Sequence, residues 1–390
     1  MRYWPFAWPL ARRAAPTVIP EGPGPLLLTE ETLRLSMQDL FVARERRAQG
    51  YTIMWSGELL HPPARALRLL EARFKPYGYT PFLKRDKGVT WVQATPLAAV
   101  VERSRPVVNV VLFLLTVLST VAAGCLVAGS FPFVTFNPLR SPARLLEGLP
   151  FAVTLLGILG THEFGHYFTA RAYGASVSLP YFIPAPPPLF LFGTLGAVIR
   201  MRSPARDRNS LFDIAVAGPL AGLIVALPAL WIGLRWSRVG VVPEGGGMTF
   251  GDSLLMRFMT YLVFGDIPGG MDVFVHPVAL AGWVGLFVTA LNLFPVGQLD
   301  GGRIAYALFG PAHRFVSIGT FFGLLALGAI AESLNWIVFA GLVFLLIGFH
   351  HAPPLDDLTP LSRERYAVGV FCLVLLILLI PPVPIAMPGG

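Results

Sequence analysis

Five consecutive residues of the chain have the types and the spacing that bind and activate a metal ion. His162, Glu163 and His166 form the pattern H-E-x-x-H. Histidines four residues apart lie on one face of a helix, so both imidazoles can reach a single tetrahedral ion, for which zinc is the best match. Glu163 points to the side of that pair. It is therefore placed to take a proton from water rather than to bind the metal.

An alternative interpretation of the motif is a pair of core histidines beside a glutamate in a salt bridge. The motif, however, ends an apolar run, Leu149–Thr161, that is typical of the first half of a membrane span. Ionisable groups inside an apolar span are energetically costly, and by default they mark a functional site. The helix of a soluble metalloprotease would be amphipathic, and this segment is not. The context therefore favours a metal site within a membrane span.

The composition of the chain is that of an integral membrane protein. Of its 390 residues, 54% are hydrophobic and only 13% are charged, whereas ordinary globular chains contain about 25% charged residues. The formal charge of +8 does not indicate a nucleic-acid partner, because Lys and Arg concentrate in Met1–Pro106 and in short loops. Cytoplasmic segments of membrane proteins show the same bias. We therefore expect a lipid bilayer around the protein, no nucleic acid, and a cytoplasmic N-terminus.

The hydropathy pattern predicts an α-helical polytopic membrane protein of about seven spans, with a small N-terminal α+β domain. The soluble cytoplasmic domain is expected at residues 1–106 and the membrane domain at 107–390, with the core that carries the metal motif at 149–303. The predicted spans are Val107–Ser130, Leu149–Tyr173, Leu211–Leu234, His276–Pro295, Arg314–Leu334, Asn335–Phe349 and Tyr366–Ile380. Within the N-terminal domain, a helix that opens at Thr29 precedes a β-α-β-β unit. The elements of that unit are Tyr51–Leu60, Pro62–Phe74, Tyr79–Lys84 and Val89–Ala94.

The segment Ala175–Arg208 is too rich in proline for a membrane span and too apolar for an ordinary loop. Within it, the run Phe190–Met201 contains β-branched and aromatic residues around Gly193 and Gly196. Non-helical backbone at membrane depth is tolerated only where protein or a water-filled cavity shields it. We therefore predict a re-entrant β strand or hairpin beside the metal. A surface loop with a β-ribbon at the membrane interface is the alternative.

A zinc ion held by two histidines needs at least one more protein ligand. Asp300 is the best candidate, because it ends an apolar span on the same side of the membrane as His166. Pro295 and Gly297 should break the helix before it, and the glycines at 301 and 302 let the backbone approach closely. Taken alone, Asp300-Gly301-Gly302 is more typical of a turn than of a ligand. Together with H-E-x-x-H in another span, the ligand interpretation is favoured.

These two motifs resemble those of the site-2 protease family of intramembrane zinc metalloproteases. That family combines H-E-x-x-H with N-x-x-P-x-x-x-L-D-G about a hundred or more residues later. The second pattern is matched here by Asn292, Pro295, Leu299, Asp300 and Gly301. The segments 192–197 and 218–222 also resemble parts of the family, although we expect residues 218–222 to serve helix packing only. The N-terminal domain and the extra C-terminal spans are similar to the branch of the ethylene-dependent gravitropism-deficient proteins.

The resemblance implies a zinc metalloendopeptidase that hydrolyses peptide bonds in or near transmembrane segments of membrane-tethered proteins. It implies one zinc per chain, held by His162, His166 and Asp300, with Glu163 as the catalytic base. Asn292 would hold the unwound substrate backbone, and the strand with Gly193 and Gly196 would bind substrate beside it. A bacterial cell membrane is the expected location, and the oligomeric state stays open.

A metal or proton-coupled membrane transporter is the alternative function, because transporters also place histidines and carboxylates within their spans. A transporter should show inverted repeats with paired broken helices, and the sequence contains no such pair.

Overall fold

The computed structural model describes residues 23–96, 106–129, 142–187, 189–242 and 248–386. The chain divides into two compact units. The first comprises Met1–Arg103, Arg202–Leu211 and Ala352–Ser362, and the second comprises Ser104–Met201, Phe212–His351 and Arg363–Gly390. The domain division predicted from the sequence, 1–106 and 107–390, remains a prediction, since the first unit also contains two later segments.

The first unit is built on an antiparallel sheet whose strand order is β1-β2-β4-β3. Its strands are β1 (Phe41–Gln49), β2 (Thr52–Leu59), β3 (Tyr79–Asp86) and β4 (Val89–Pro96), and its helices are α1 (Pro23–Ser36) and α2 (Pro63–Phe74). Helix α2 buries Leu67, Leu70 and Phe74, which pack with Trp55 of β2 in one apolar core. A small N-terminal sheet domain is thus confirmed. The predicted β-α-β-β unit lacked β1, because most residues of that strand are exposed and four of its nine residues are charged.

Two segments from far along the chain extend this sheet beyond β3. The amide of Leu83 donates to the carbonyl of Leu355 over 2.7 Å, and the amide of Asp357 donates to the carbonyl of Leu83 over 2.9 Å. The amide of Asp356 in turn donates to the carbonyl of Arg206 over 2.8 Å. Residues near 206 and 356 therefore complete the first unit.

The second unit consists mainly of helices. They are α3 (Pro106–Val127), α4 (Leu149–Ala172), α5 (Arg208–Arg235, which starts in the first unit), α6 (Leu254–Phe264), α7 (Pro277–Leu293), α8 (Asp300–Phe309), α9 (His313–Ile330), α10 (Leu334–Leu342) and α11 (Arg363–Leu379). Short antiparallel strand pairs join them. These strands are β5 (Tyr181–Pro184), β6 (Thr194–Val198), β7 (Arg238–Val241), β8 (Thr249–Phe250), β9 (Met271–Phe274) and β10 (Ile385–Ala386), paired as β5–β6, β7–β9 and β8–β10.

Four helical stretches in the described part of the chain are long and apolar enough to cross a membrane. They are Pro106–Val127, Arg144–Ala172, Arg208–Arg235 and Asp300–Ile330. The apolar helices Leu254–Phe264, Pro277–Leu293 and Leu334–Ile347 are shorter than the roughly 20 residues that an untilted span needs. A mostly helical membrane fold is therefore confirmed, whereas the predicted total of seven spans is not confirmed.

The strand pair β5–β6 is fixed against α3. The side-chain amide of Asn109 donates to the carbonyls of Leu179 and Pro180 over 3.0 and 2.9 Å, and the Ser119 hydroxyl donates to the carbonyl of Gly193 over 2.6 Å. A hairpin was predicted in this region, and its second strand lies within the run predicted to be β. Its first strand lies in the proline-rich part that the sequence analysis left unassigned. Entry of this hairpin into the membrane is not confirmed.

Candidate metal centre

Helix α4 carries the H-E-x-x-H motif at the buried end of a long apolar segment. His162, Glu163 and His166 are 4%, 6% and 3% exposed, so the surrounding helices remove all three from solvent. Because the two histidines lie one helical turn apart, their Nε2 atoms approach to 3.1 Å. The local helix thus presents two metal-ligating nitrogens at one point.

Asp300 is the first residue of α8, and it brings a carboxylate to that point. Its Oδ2 lies 3.0 Å from Nε2 of His166 and 3.4 Å from Nε2 of His162. The ligand atoms of the three residues all lie within 4.8 Å of one another. Two imidazoles and one carboxylate are a donor set that suits zinc and leaves a fourth position for water or substrate. The residues present therefore fit a catalytic zinc ion.

Three glycines allow Asp300 to reach this position. One lies in the turn between α7 and α8, and two lie in the first turn of α8. Gly297 adopts a left-handed conformation with φ of +54°, which favours glycine. A Cβ atom at Gly301 would lie 1.9 Å from the carbonyl oxygen of Leu293, and one at Gly302 would lie 2.5 Å from that of Gly297. Without side chains at 301 and 302, the first turn of α8 can fold directly against the end of α7. The close backbone approach predicted for these glycines is thus present.

Helix α5 orients His166 from the other side. Nδ1 of His166 lies 2.6 Å from the carbonyl oxygen of Ile214. Because a carbonyl can only accept, Nδ1 is the protonated nitrogen, and Nε2 is left with its lone pair toward the metal position. Such an outer hydrogen bond fixes the tautomer and the ring orientation of a metal-binding histidine. Ile214 has an apolar side chain and contributes through its backbone, so the sequence offered no signal for this role.

Two glycines of α5 make room for the metal-binding histidines. A Cβ atom at Gly218 would lie 2.0 Å from Nε2 of His166, and one at Gly222 would lie 3.3 Å from the His162 ring. The sequence analysis expected the segment 218–222 to serve helix packing only. The segment does pack, but against the two histidines themselves. Glycines four residues apart in a neighbouring span were the available signal.

Glu163 is buried beside the three ligands without being one of them. The backbone of Ile199, the residue that follows β6, approaches its carboxyl group. The end of the β5–β6 hairpin and the glutamate therefore meet at one place, next to the metal position.

The other three predicted site residues differ in how near they lie to the cluster. Asn292, in the last turn of α7, places its side-chain nitrogen 3.4 Å from Nε2 of His162. Gly193 packs against Ser119 and Thr120 of α3, with a φ of +75°. Gly196 has a φ of +101°, and its amide donates to the Thr194 hydroxyl over 3.0 Å. The two glycines thus shape the β6 hairpin, whereas Asn292 faces the metal-binding pair.

The histidines weighed as alternative third ligands have other partners. His276 precedes α7, and its Nδ1 accepts a hydrogen bond from the amide of Val278. Nε2 of His313 lies 3.0 Å from the hydroxyl of Ser317, which itself accepts from the amide of Gly297. Through Ser317, His313 therefore supports the turn that precedes Asp300.

A comparison with known protein families identifies the family that the residues around this centre match. The sequence model described as peptidase family M50 matches residues 150–329. Residues 150–329 are a peptidase family M50 domain. This domain runs from the start of α4 to the end of α9, so it contains all three ligand residues, Glu163 and Asn292. The predicted resemblance to the site-2 protease family is confirmed.

Curated plant proteins extend the likeness beyond the M50 domain. The chain is 31% identical to "Probable zinc metalloprotease EGY2, chloroplastic" of Arabidopsis thaliana over 63% of the chain and 44% of that protein. It is 32% identical to "Probable zinc metalloprotease EGY1, chloroplastic" of Arabidopsis thaliana over 71% of the chain and 53% of that protein. The EGY1 protein of Oryza sativa subsp. japonica is also 32% identical, over 71% of the chain and 50% of that protein.

The chain spans about half the length of the curated relatives that it matches. These relatives are plant proteins whose names place them in chloroplasts, so they give no support to the bacterial membrane predicted from the sequence. No solved structure gives a significant match.

Proposed function

We propose that the protein is a zinc metalloendopeptidase of the site-2 protease type, which hydrolyses peptide bonds in or near transmembrane segments of membrane-tethered proteins. One observation carries this proposal. Ligand atoms from His162, His166 and Asp300 converge within 4.8 Å, next to the buried carboxyl of Glu163. The M50 match over the same residues and the zinc metalloprotease names of the relatives support it.

His162, His166 and Asp300 would hold one zinc ion per chain. When bound, zinc supplies a Lewis acid that polarises a carbonyl and lowers the pKa of water. The Ile214 carbonyl keeps the His166 imidazole in the tautomer that can bind the metal. Burial of all three ligands keeps bulk water from competing for the ion.

Glu163 acts as the base and then as the acid of the reaction. Its carboxylate takes a proton from the attacking water, whose oxygen forms the new bond to the peptide carbonyl carbon. The C–N bond then breaks, and Glu163 returns the proton to the leaving amine nitrogen. Glu163 therefore ends the cycle in its starting state.

The substrate must be unwound before it can be cut, because an intact helix hides its carbonyls in i→i−4 hydrogen bonds. Strand β6 is suited to hold such a segment. Its side chains at Leu195 and Val198 are 59% and 49% exposed, and the described part of the chain pairs it only with β5. Strand addition would satisfy the unpaired backbone groups of the substrate and place it toward Glu163. Asn292 would hold the backbone on the other side of the site.

The proposed enzyme is an integral, multi-pass membrane protein with about seven spans. Residues 1–106 form a cytoplasmic domain, and the catalytic core at 149–303 lies within the membrane domain 107–390. The β5–β6 hairpin enters the membrane beside the metal. A transporter is not favoured, because the segment that carries the metal ligands matches a peptidase family.

The proposal is tested by comparing the membrane proteomes of cells that contain the wild-type protein or the variant Glu163→Gln. A membrane-tethered substrate should accumulate with Glu163→Gln, and its released fragment should disappear. The exposed Glu364 offers a matched control, and Glu364→Gln should behave as wild type. Identical proteomes in all three strains, together with zinc uptake into proteoliposomes that hold the wild-type protein, would favour the transporter instead.

A further inference from the structure

Arg303 is a cation inside a candidate membrane span. It lies in the first turn of α8, within the apolar stretch Asp300–Ile330, and it is partly buried. Among the residues that the structure describes, no carboxylate oxygen lies within salt-bridge distance of its guanidinium. The contact of its Nη1 is with the Met201 sulfur over 3.8 Å, which is a weak acceptor. Since an intramembrane charge is costly, an arginine kept in this setting indicates a functional role.

Arg303 lies on the same helix as Asp300 of the metal centre. Arg303 follows Asp300 by three residues on one helix, so the two side chains project from the same face. Its partner Met201 comes two residues after Ile199, whose backbone approaches Glu163. Arg303 therefore stands where α8, the end of the hairpin and the catalytic glutamate come together.

None of the roles in the proposed mechanism uses this cation. Asp300 is assigned to the metal together with the two histidines, and Glu163 handles the proton. Water attack, however, turns the neutral peptide carbonyl oxygen into an oxyanion, which needs stabilisation in a site closed to solvent. A guanidinium offers five N–H donors and a permanent positive charge. In a low-dielectric site it would bind the charged oxygen far more strongly than the neutral carbonyl.

We propose that Arg303 is a further catalytic residue, whose guanidinium binds the negatively charged oxygen of the tetrahedral intermediate of peptide hydrolysis. This inference rests on the proposed protease function. It assigns Arg303 a contact that forms only after water has attacked, so its loss should lower kcat rather than raise KM. If Arg303 only balanced the charge of the metal ligands, its loss would lower the zinc content instead.

The first test is the variant Arg303→Gln, purified and assayed against a transmembrane substrate. We expect about one zinc per chain as in wild type, a KM that changes less than about threefold, and a kcat lower by about 10²–10³-fold, as for removal of an oxyanion donor. Arg303→Lys keeps the charge and should recover part of the kcat. Arg171→Gln, which removes an exposed arginine at the end of α4, is the matched control and should leave kcat unchanged.

The second test measures binding rather than activity. A phosphinic peptide carries a negatively charged tetrahedral group at the position of the scissile bond, and it should bind Arg303→Gln about 100-fold more weakly than wild type. The uncleaved substrate should bind Glu163→Gln and the double variant Glu163→Gln/Arg303→Gln equally, because its carbonyl is neutral.

The outcomes separate the two proposals. If the wild-type protein cleaves and Arg303→Gln keeps its kcat and its affinity for the phosphinic peptide, the role of Arg303 is wrong and the protease function stands. If Arg303→Gln and Arg303→Lys both lose zinc, Arg303 supports the metal site and the catalytic assignment is also wrong. If the wild-type protein neither cleaves nor binds the phosphinic peptide, the protease function fails and the inference fails with it.

Discussion

At the scale of single residues, the proposed metal centre depends on three ligand atoms from two helices that are distant in sequence. Removal of any one of them should release most of the zinc, because two ligands hold the ion too weakly. Purified wild-type protein should contain about one zinc per chain, and His162→Ala and Asp300→Ala should each contain a small fraction of that by elemental analysis. His276→Ala should keep its zinc. Full zinc in Asp300→Ala, with loss in His276→Ala or His313→Ala, would show that the third ligand is assigned wrongly.

A second prediction at this scale concerns a residue without a side chain. A methyl group at Gly218 would overlap the His166 ring, so Gly218→Ala should displace that imidazole and weaken the hydrogen bond from Nδ1 to Ile214. Loss of the hydrogen bond that orients a metal-binding histidine typically costs about 10–100-fold in metal affinity. We therefore expect the zinc affinity of Gly218→Ala to fall by about that factor. Chelator competition measures the change. Gly157→Ala on α4, where a Cβ meets no atom within 4 Å, should match wild type, and equal affinities in the two variants would contradict the prediction.

At the scale of elements, the prediction concerns strand β6. Proline removes a backbone donor from a strand edge, and Leu195 and Val198 are the two exposed residues of β6. Both Leu195→Pro and Val198→Pro should cut cleavage by about 100-fold, the equivalent of about 3 kcal/mol, without a change in zinc content. Substrates with helix-breaking residues near the cut should suffer less, since they unwind more readily.

Alanine variants at the same positions provide the control for strand β6. Leu195→Ala and Val198→Ala keep the backbone donors, so they should cleave nearly as wild type does. Normal cleavage by both proline variants, or a loss that follows lost zinc, would mean that β6 is an ordinary loop strand with no part in substrate binding.

The elements also show what the sequence can and cannot predict. The clustering of these three residues was predictable because His162 and His166 are close in sequence and share a helix face, and because Asp300 belongs to a motif that resembles a known family. Strand β1 was missed because it exposes most of its charged side chains, so it lacks the apolar alternation of a half-buried strand. The support of His166 by the Ile214 carbonyl was missed because it uses a backbone atom, which leaves no mark in the residue type.

At the scale of the whole molecule, strand pairing constrains the topology. Residues near 206 and 356 join the same sheet as β3, so these residues must lie on one side of the membrane. The chain must therefore cross the membrane an even number of times between Leu83 and Arg206, and again between Arg206 and Asp356. The predicted seven spans and the four long helices both satisfy this rule, but a total that adds only α7 or only α10 does not.

Reporter fusions at Lys87 and Arg206 test this topology. Both should report a cytoplasmic position, because the short loops around them are rich in Lys and Arg. A fusion at Leu358 should agree with them. Opposite locations for Lys87 and Arg206 would contradict both the topology and the pairing of their segments, whereas a shared location outside would reverse the orientation alone.

The pairing of β3 with residues 355–357 also sets an order of events during biosynthesis. While the ribosome makes the intervening helices, the β3 edge has no partner, and an open edge can pair with other chains. The sheet closes only after residue 357 has left the ribosome, when the helices that carry His162 and Asp300 have already been made. A nascent chain released before that point would keep an unpaired β3 edge, so incomplete synthesis would be exposed at a strand that lies outside the metal centre.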